Sequence, residues 1–191
     1  MIKRRCEWAL HSDLSKKYHD VEWGVPQHDD KVLFEFLVLE GMQAGLSWET
    51  ILKKRDHFRT AFDNFNYSKI TKYPQDRIER LLQDKGIIRN RLKIQSVIAN
   101  AKCFLTIQEE FGSFNKYIWD YVDHKPIVNS WNSLSELPSH TELSEKISKN
   151  LKKRGFKFVG ATIIYAFMQA VGIVNDHITS CFRYKEIIAN Y

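Results

Sequence analysis

A nearly unbroken apolar run, residues 32–39, ends in a single carboxyl group at Glu40. On a helix, Leu33, Phe36, Leu37 and Glu40 fall at i, i+3, i+4 and i+7, so the carboxyl group shares the buried face. A buried, unpaired carboxylate costs several kcal/mol or stays protonated. The run therefore predicts a helix. Its last carboxyl group either has a functional role or reaches water at the helix end, and these residues alone leave both open.

Two glycines separate Glu40 from a second helix start. Gly41 and Gly45 allow the backbone to turn or to approach a neighbour closely. Ser47 is placed to cap a helix whose first residue is Trp48. We therefore expect a turn at Glu40 between two helices.

The rest of the chain has helical rather than strand periodicity. Residues 159–171 are almost all apolar and close at Gly172, which predicts a central helix. No segment alternates with a period of two. We therefore expect one all-α domain over residues 1–191, with roughly eight to ten helices and an N-terminal arm at residues 1–28 that has little helical periodicity.

Charge and composition limit the classes of partner. The chain has 29 Lys and Arg against 23 Asp and Glu, a net charge of +6, which suits a polyanion but also occurs in proteins that bind none. No apolar run reaches membrane-spanning length, and the first residues lack the apolar stretch of a secretory signal. Three cysteines do not suggest a disulfide framework, so we expect a cytoplasmic protein with reduced thiols. We also expect a monomer with no membrane partner.

Two cysteines and two histidines have the spacing of metal ligands. His177 and Cys181 would share one face of a helix, and Cys6 and His19 supply a matching pair near the other end of the chain. Two thiolates and two imidazoles would complete a tetrahedral zinc site with no open position for water. This set predicts a structural clamp. The alternative is a buried cysteine with surface histidines.

A basic segment with two glycines, residues 151–160 (LKKRGFKFVG), joins two predicted helices. Ser139 and Glu142 have the spacing of a capping box for the first helix, which should end at Gly155. Such a hairpin can present backbone N–H groups and lysines to a phosphate. The alternative is an ordinary solvated turn.

Four aromatic residues lie in or beside segments that we expect to be irregular around Glu40: Trp8, Tyr18, Trp23 and Trp48. Aromatic residues outside the periodic faces are more often packing residues than a binding site. Convergence of all four on one carboxyl group would instead indicate a pocket.

Several of these segments together resemble the 3-methyladenine DNA glycosylase I family. They are Cys6-x-Trp8, residues 18–26 (YHDVEWGVP), 39–48 (LEGMQAGLSW), 86–90 (GIIRN), 151–160 and 174–177 (VNDH). The similarity runs in order over nearly the whole chain, and the motifs are highly specific together. This family belongs to the helix-hairpin-helix DNA glycosylases. The resemblance therefore implies an α-helical fold of two lobes with the active site between them, and a helix-hairpin-helix at about residues 140–172.

The resemblance also implies roles for individual residues. It implies a structural zinc ion, joining segments 6–19 and 177–181, on Cys6, His19, His177 and Cys181. It implies a base pocket with catalytic Glu40 and the base-binding residues Trp8, Tyr18, Trp23, Glu40 and Trp48. It implies DNA contacts from a turn that fills the space of a flipped base, Gly45 and Leu46, and from the hairpin residues Lys153, Arg154, Gly155, Lys157 and Gly160.

Two departures from the wider superfamily bear on the reaction. The usual catalytic aspartate aligns with Asn175, and the neighbouring Asp176 should point elsewhere. No lysine stands where bifunctional members carry their Schiff-base nucleophile. Both differences fit a monofunctional hydrolase that acts on an already activated bond.

The implied substrate is 3-methyladenine in alkylated double-stranded DNA. Methylation at N3 makes the base cationic and weakens its glycosidic bond, so the enzyme must flip the nucleotide and prefer a cationic ring. Aromatic faces and the Glu40 carboxylate can supply that preference. Two alternatives are a non-catalytic zinc-clamped DNA-binding module and a zinc hydrolase of small molecules, which would need an open metal position.

Overall fold

The chain is almost entirely helical over residues 3–189, the part that this computed structural model describes. Ten α-helices lie within these residues: α1 (Asp13–Val21), α2 (Asp30–Gln43), α3 (Trp48–Ala61), α4 (Tyr67–Ile70), α5 (Gln75–Gln83), α6 (Arg91–Phe111), α7 (Phe114–Trp119), α8 (Glu142–Lys153), α9 (Ala161–Ala170) and α10 (Phe182–Ile188). Single turns of 3-10 helix lie at Glu7–His11, Asp63–Phe65, Asp120–Val122 and Leu134–Glu136. Within residues 3–189 no helix is both long and apolar enough to cross a membrane.

Helix α2 is the centre of the fold, since every residue from 33 to 42 is buried. It packs against α3, α6, α7 and α9, which is why it is apolar all round. The expected turn at Glu40 is wrong, because α2 continues to Gln43. Gly41 stays helical, and a Cβ there would lie 3.4 Å from the Cβ of Phe158, an ordinary van der Waals contact.

A charged network joins the first three helices. Glu35 of α2 accepts hydrogen bonds from Arg55 at 2.6 Å and from Arg59 at 2.8 Å. Arg55 also donates to Glu22, just after α1, at 2.6 Å. Buried ion pairs are tolerated when each charge is matched, so Glu35 is a structural carboxylate with its countercharge in place.

Helix α1 lies within the N-terminal arm, residues 1–28, although the sequence of the arm has little helical periodicity. Helix α1 turns Ser15, Tyr18 and His19 inward. Hydrophobic periodicity does not reveal this face because two of these residues are polar. Ser12 caps the helix by accepting a hydrogen bond from the Ser15 N–H at 3.1 Å.

The hairpin helices α8 and α9 pack against each other, but the first begins later than predicted. Thr141 and Ser144 form the capping box, rather than Ser139 and Glu142: the Ser144 N–H donates to Thr141 Oγ1 and the Thr141 N–H to Ser144 Oγ. Serine can play the reciprocal part at the third helical position, where the pattern calls for Glu or Gln. Gly155 follows α8 with φ +99°, as its predicted helix-ending position requires.

One small departure from a purely α-helical fold lies near the C-terminus. Strand β1 (Ile127–Val128) pairs in parallel with β2 (Val174–Asn175). Two residues per strand are too few to produce visible alternation in a sequence. The pairing fixes the loop that leads into His177.

Candidate functional site

A cavity of about 280 Å³ brings together Glu40 and the four predicted aromatic residues. Its lining residues are Trp8, Tyr18, Trp23, Glu40, Gln43, Trp48, Leu137, Ala166 and Gln169. The cavity lies at the lower end of the size range of ligand pockets, roughly 300–1,000 Å³. It therefore suits one small ring system.

The aromatic residues form a continuous wall. The ring centroids of Trp23 and Trp8 are 5.0 Å apart, those of Trp8 and Tyr18 6.2 Å, and those of Tyr18 and Trp48 5.4 Å. Trp8 and Tyr18 lie in helical elements, a 3-10 turn and α1, rather than in irregular segments, and Trp48 is the first residue of α3, as the Ser47 cap predicts. Burial and the nearby Glu40 raise the pKa of Tyr18 well above its ordinary value, so its hydroxyl group stays neutral.

Glu40 is a buried acid without a counterion. Its side chain is 4% exposed, and no donor or cation of the described residues contacts its carboxyl group. Burial alone raises its pKa from 4.5 to about 8. Glu35 on the same helix has its countercharge within the protein. Glu40 has none, so a cation that enters the cavity can supply it.

The four predicted metal ligands form one buried cluster, with their ligand atoms within 4.8 Å of one another. The Nδ1 of His177 lies 3.6 Å from Cys6 Sγ and 3.5 Å from Cys181 Sγ, and His19 Nε2 lies 3.4 Å from Cys181 Sγ. Tetrahedral zinc with bonds of about 2.0–2.3 Å sets its ligand atoms roughly 3.5 Å apart. The donor set and spacing therefore fit a four-coordinate metal ion.

Both histidines of the cluster are oriented by further hydrogen bonds. His19 Nδ1 lies 2.8 Å from Asp20, which Arg5 holds in turn, and His177 Nε2 lies 3.1 Å from the Trp23 carbonyl. Partners of this kind select which ring nitrogen faces a metal. Hydrogen bonds from Cys6 and from both imidazoles lower the pKa of Cys181, which favours the thiolate.

The Cys/His cluster supports the aromatic wall of the cavity. The Trp23 and His177 rings are 4.6 Å apart, and the Trp8 and His19 rings 5.4 Å. Gly24 allows this approach, because at φ +79° its added Cβ would lie 3.1 Å from His177 Nε2. Loss of the cluster would therefore also disturb Trp8 and Trp23.

Neither Asn175 nor Asp176 lines the cavity. The Asn175 side chain orients the metal-cluster loop, with its carbonyl accepting from the His177 N–H and its amide donating to the Tyr184 carbonyl. Asp176 is buried, and its carboxylate accepts four hydrogen bonds, from Asn129, Trp131, Tyr165 and Gln169. Both residues are structural.

The predicted DNA-binding residues lie in two separate places. Gly45 and Leu46 form the turn between α2 and α3, where Gly45 has φ +76° and Leu46 is 40% exposed. The hairpin carries the exposed Lys153 and Lys157 and the partly exposed Gly155 and Gly160. Arg154 differs from the other hairpin cations, because its guanidinium makes a two-pronged ion pair with Glu110, at 2.5 and 2.9 Å.

Comparison with known proteins agrees with this geometry. A family model described as methyladenine glycosylase matches residues 8–184. The chain belongs to the methyladenine glycosylase family. DNA-3-methyladenine glycosylase 1 of Escherichia coli (strain K12) is 50% identical over 180 residues, which cover 94% of this chain and 96% of that protein.

Solved structures of methyladenine glycosylases share the whole fold. A crystal structure of 3-methyladenine DNA glycosylase I matches with a TM-score of 0.91 at 50% identity, covering 94% of this chain and 98% of the other. A tyrosine-to-phenylalanine variant of such an enzyme, in complex with 3-methyladenine, matches with a TM-score of 0.90 at 34% identity over 93% and 96% of the two chains.

Four cavity residues of this methyladenine glycosylase were missed in the sequence analysis: Gln43, Leu137, Ala166 and Gln169. Gln43 belongs to the 39–48 motif and could have been included from its position between Glu40 and Trp48. Ala166 and Gln169 lie in the nearly all-apolar α9, where the polar Gln169 was the available signal. Leu137 follows the 3-10 turn Leu134–Glu136, outside every segment singled out from the sequence.

Proposed function

We propose that this chain hydrolyses the N-glycosidic bond of 3-methyladenine in alkylated double-stranded DNA, as a monofunctional enzyme of base excision repair. The observation that carries the proposal is the buried, uncompensated carboxyl group of Glu40 in a cavity walled by four aromatic rings. The relatives named DNA-3-methyladenine glycosylase and the complex of one such enzyme with 3-methyladenine support it.

The cavity suits a flipped cationic base. Aromatic faces attract a desolvated cation by on the order of 2 kcal/mol, and normal adenine carries no charge to benefit from this. Flipping costs a few kcal/mol and is cheaper for a damaged base. A cation in the cavity also favours the ionised form of Glu40, whose pKa in the free protein is about 8.

Hydrolysis of this substrate needs little acid catalysis. As the bond between the sugar C1′ and the base N9 breaks, its electron pair neutralises the ring, and the base leaves as neutral 3-methyladenine. Water adds to C1′ and loses a proton. Ionised Glu40 accepts hydrogen bonds from the adenine edge and stabilises the positive charge that develops on the sugar.

Release of the base is the test of this activity. Chromatography of the bases freed by the purified protein from methylated duplex DNA should show 3-methyladenine as the main product. A protein that binds this DNA but frees no base would instead be a non-catalytic DNA-binding module, and the proposal would fail.

We also propose that Cys6, His19, His177 and Cys181 hold one structural zinc ion. Four protein ligands fill a tetrahedral shell, so the site suits a clamp and not a hydrolytic centre, which needs an open position. The clamp would join the segments 6–19 and 177–181. This donor set argues against the alternative of a zinc hydrolase of small molecules.

The remaining expectations concern partners and location. We propose that the exposed hairpin, with Lys153, Gly155, Lys157 and Gly160, binds the phosphate backbone, and that Gly45 and Leu46 fill the space left by the flipped base. We also propose that the protein is a monomer in the cytoplasm and has no membrane partner. The cytoplasmic location fits the metal site, since reduced thiols favour metal binding at Cys6 and Cys181.

Replacing Lys157 by alanine should weaken binding about equally for all DNA sequences and reduce the salt dependence by roughly one ion, because a phosphate contact is lost. Arg154→Ala is the matched control. Its charge is already neutralised by Glu110, so we expect a smaller change in salt slope. Titration of fluorescent duplex DNA at several salt concentrations measures both. An unchanged slope for Lys157→Ala would place the contact elsewhere.

A further inference from the structure

An open groove lies beside the base cavity and shares only Leu46 with the site residues described so far. Its lining residues are Leu46, Lys54, Leu82, Lys85, Ile87, Ile88 and Arg89. The floor is aliphatic, the charged residues are all cationic, and no acid lines it. A surface of this kind suits a polyanion with an apolar part, such as a DNA strand.

The cations of the groove are available for an external partner. Lys85 and Arg89 are exposed and have no acidic partner among residues 3–189. Lys54 donates to the Lys85 carbonyl at 2.8 Å, which ties α3 to the loop before α6. By contrast, the neighbouring Arg91 is neutralised by a two-pronged ion pair with Glu79, at 2.8 Å for each bond.

The turn between α2 and α3 connects the groove to the base cavity. Gln43 and Trp48 line the cavity, and Leu46 between them lines the groove. Lys93 holds this turn in place, because its buried ammonium donates to the carbonyls of Met42 and Ala44 at 2.9 and 2.6 Å. A strand whose base enters the cavity must therefore run past Leu46, next to the groove.

The start of α6 lies between the groove and the hairpin along the chain. Lys157 of the hairpin shares a neighbouring depression with Leu92, which lies in the first turn of α6 and is 68% exposed. Arg89 lies only three residues before Leu92 in the chain. The hairpin and the groove thus meet at the start of α6 and can contact one continuous stretch of backbone.

We propose that Lys54, Lys85 and Arg89 form a second phosphate-binding surface, which holds the DNA backbone beside Leu46 while the damaged base occupies the cavity. The proposal rests on the proposed glycosylase function for the identity of the partner. The surface adds a sequence-independent contact with the DNA backbone, on the opposite side of Leu46 from the base cavity. With Arg154 paired to Glu110, the groove adds the three cations Lys54, Lys85 and Arg89 to those of the hairpin.

A pair of double variants tests the groove. Lys85→Gln with Arg89→Gln removes two positive charges from it, and Lys69→Gln with Lys72→Gln removes two from the exposed surface around α4, outside the groove. Both variants have the same net charge. Binding of undamaged duplex DNA is measured by fluorescence anisotropy over a range of salt concentrations. Titration with 3,9-dimethyladeninium, a cation with no glycosidic bond, monitors the base cavity.

We expect the groove variant to bind duplex DNA on the order of tenfold more weakly and to lose roughly two ions from the salt slope, and the control to stay near wild type. Arg89→Gln alone should lose about one ion. Equal binding of duplex DNA by the two double variants would refute the proposed phosphate-binding role of the groove. Because the duplex is undamaged, this result is independent of excision: a wild-type protein that frees no base refutes the glycosylase function and leaves the groove measurement intact.

Discussion

Glu40→Gln is expected to lower excision of 3-methyladenine by about tenfold or more, which corresponds to roughly 1.4 kcal/mol of transition-state stabilisation. Glutamine keeps the size of the side chain and one acceptor, but it cannot carry the negative charge that a cationic ring and a developing sugar cation favour. Single-turnover excision from methylated duplex DNA measures the effect. Excision at the wild-type rate would show that the charge does not contribute.

The same substitution should stabilise the free protein in alkaline solution. The pKa of Glu40 is about 8 in the folded protein, against an ordinary value of 4.5. Below pH 4.5 the carboxyl group is protonated in both states. Between pH 4.5 and pH 8 only the unfolded chain loses this proton, so the contribution of Glu40 to stability falls as the pH rises, and it levels off above pH 8.

Thermal unfolding at two pH values measures this contribution. Glu40→Gln should unfold near the wild-type temperature at pH 4.5 and at a clearly higher temperature at pH 9, because glutamine has no proton to lose. Glu35→Gln is the matched control on the same helix: its charge is paired with Arg55 and Arg59, so it should destabilise the protein at pH 9. A Glu40→Gln variant with no gain at pH 9 would mean that Glu40 has a countercharge.

Under the proposed zinc clamp, Cys181→Ser should remove the metal ion and destabilise the protein by about 3 kcal/mol or more, since a four-ligand site forms only in the folded chain. For a chain of this size that corresponds to a fall of roughly 6–12 °C in Tm. Tryptophan fluorescence should change as well, because Trp23 and Trp8 pack against the two histidines of the cluster.

The control for the metal site is the third cysteine. Cys103 lies in α6 outside the cluster, and Cys103→Ser should keep both the metal and a Tm near that of wild type. Metal analysis of the native protein should find one zinc ion per chain. A metal-free wild-type protein whose melting matches that of Cys181→Ser would refute the clamp.

The elements of this fold that have a strong hydrophobic period were predictable from the sequence. Helices α2, α6 and α9 are long and bury apolar faces, and Ser47 caps α3 as expected. The grouping of Glu40 with four aromatic residues and the metal cluster came from motif spacing and the family resemblance. Chain order alone cannot place Cys6 beside Cys181.

The parts that escaped prediction depend on tertiary contacts between distant residues. Glu40 lies inside a helix whose last carbonyls accept hydrogen bonds from Lys93, a residue far along the chain. Helix α1 buries Ser15 and His19, which no hydrophobic pattern marks. The ion pair of Arg154 with Glu110 is another such contact, since nothing in the local sequence identifies Glu110 as its partner.

The pKa of Glu40 itself tests the central claim most directly, and NMR titration of a protein with labelled glutamate carboxyl carbons measures it. The account predicts a value of about 8 in the free protein. With saturating 3,9-dimethyladeninium the pKa should fall by more than one unit, because the cation stabilises the ionised carboxylate. A fall of one unit corresponds to about 1.4 kcal/mol of interaction with the cation. Neutral 9-methyladenine should not lower the pKa. An ordinary pKa in the free protein, or the same pKa with both ligands, would contradict selection of the methylated base by the charge of Glu40.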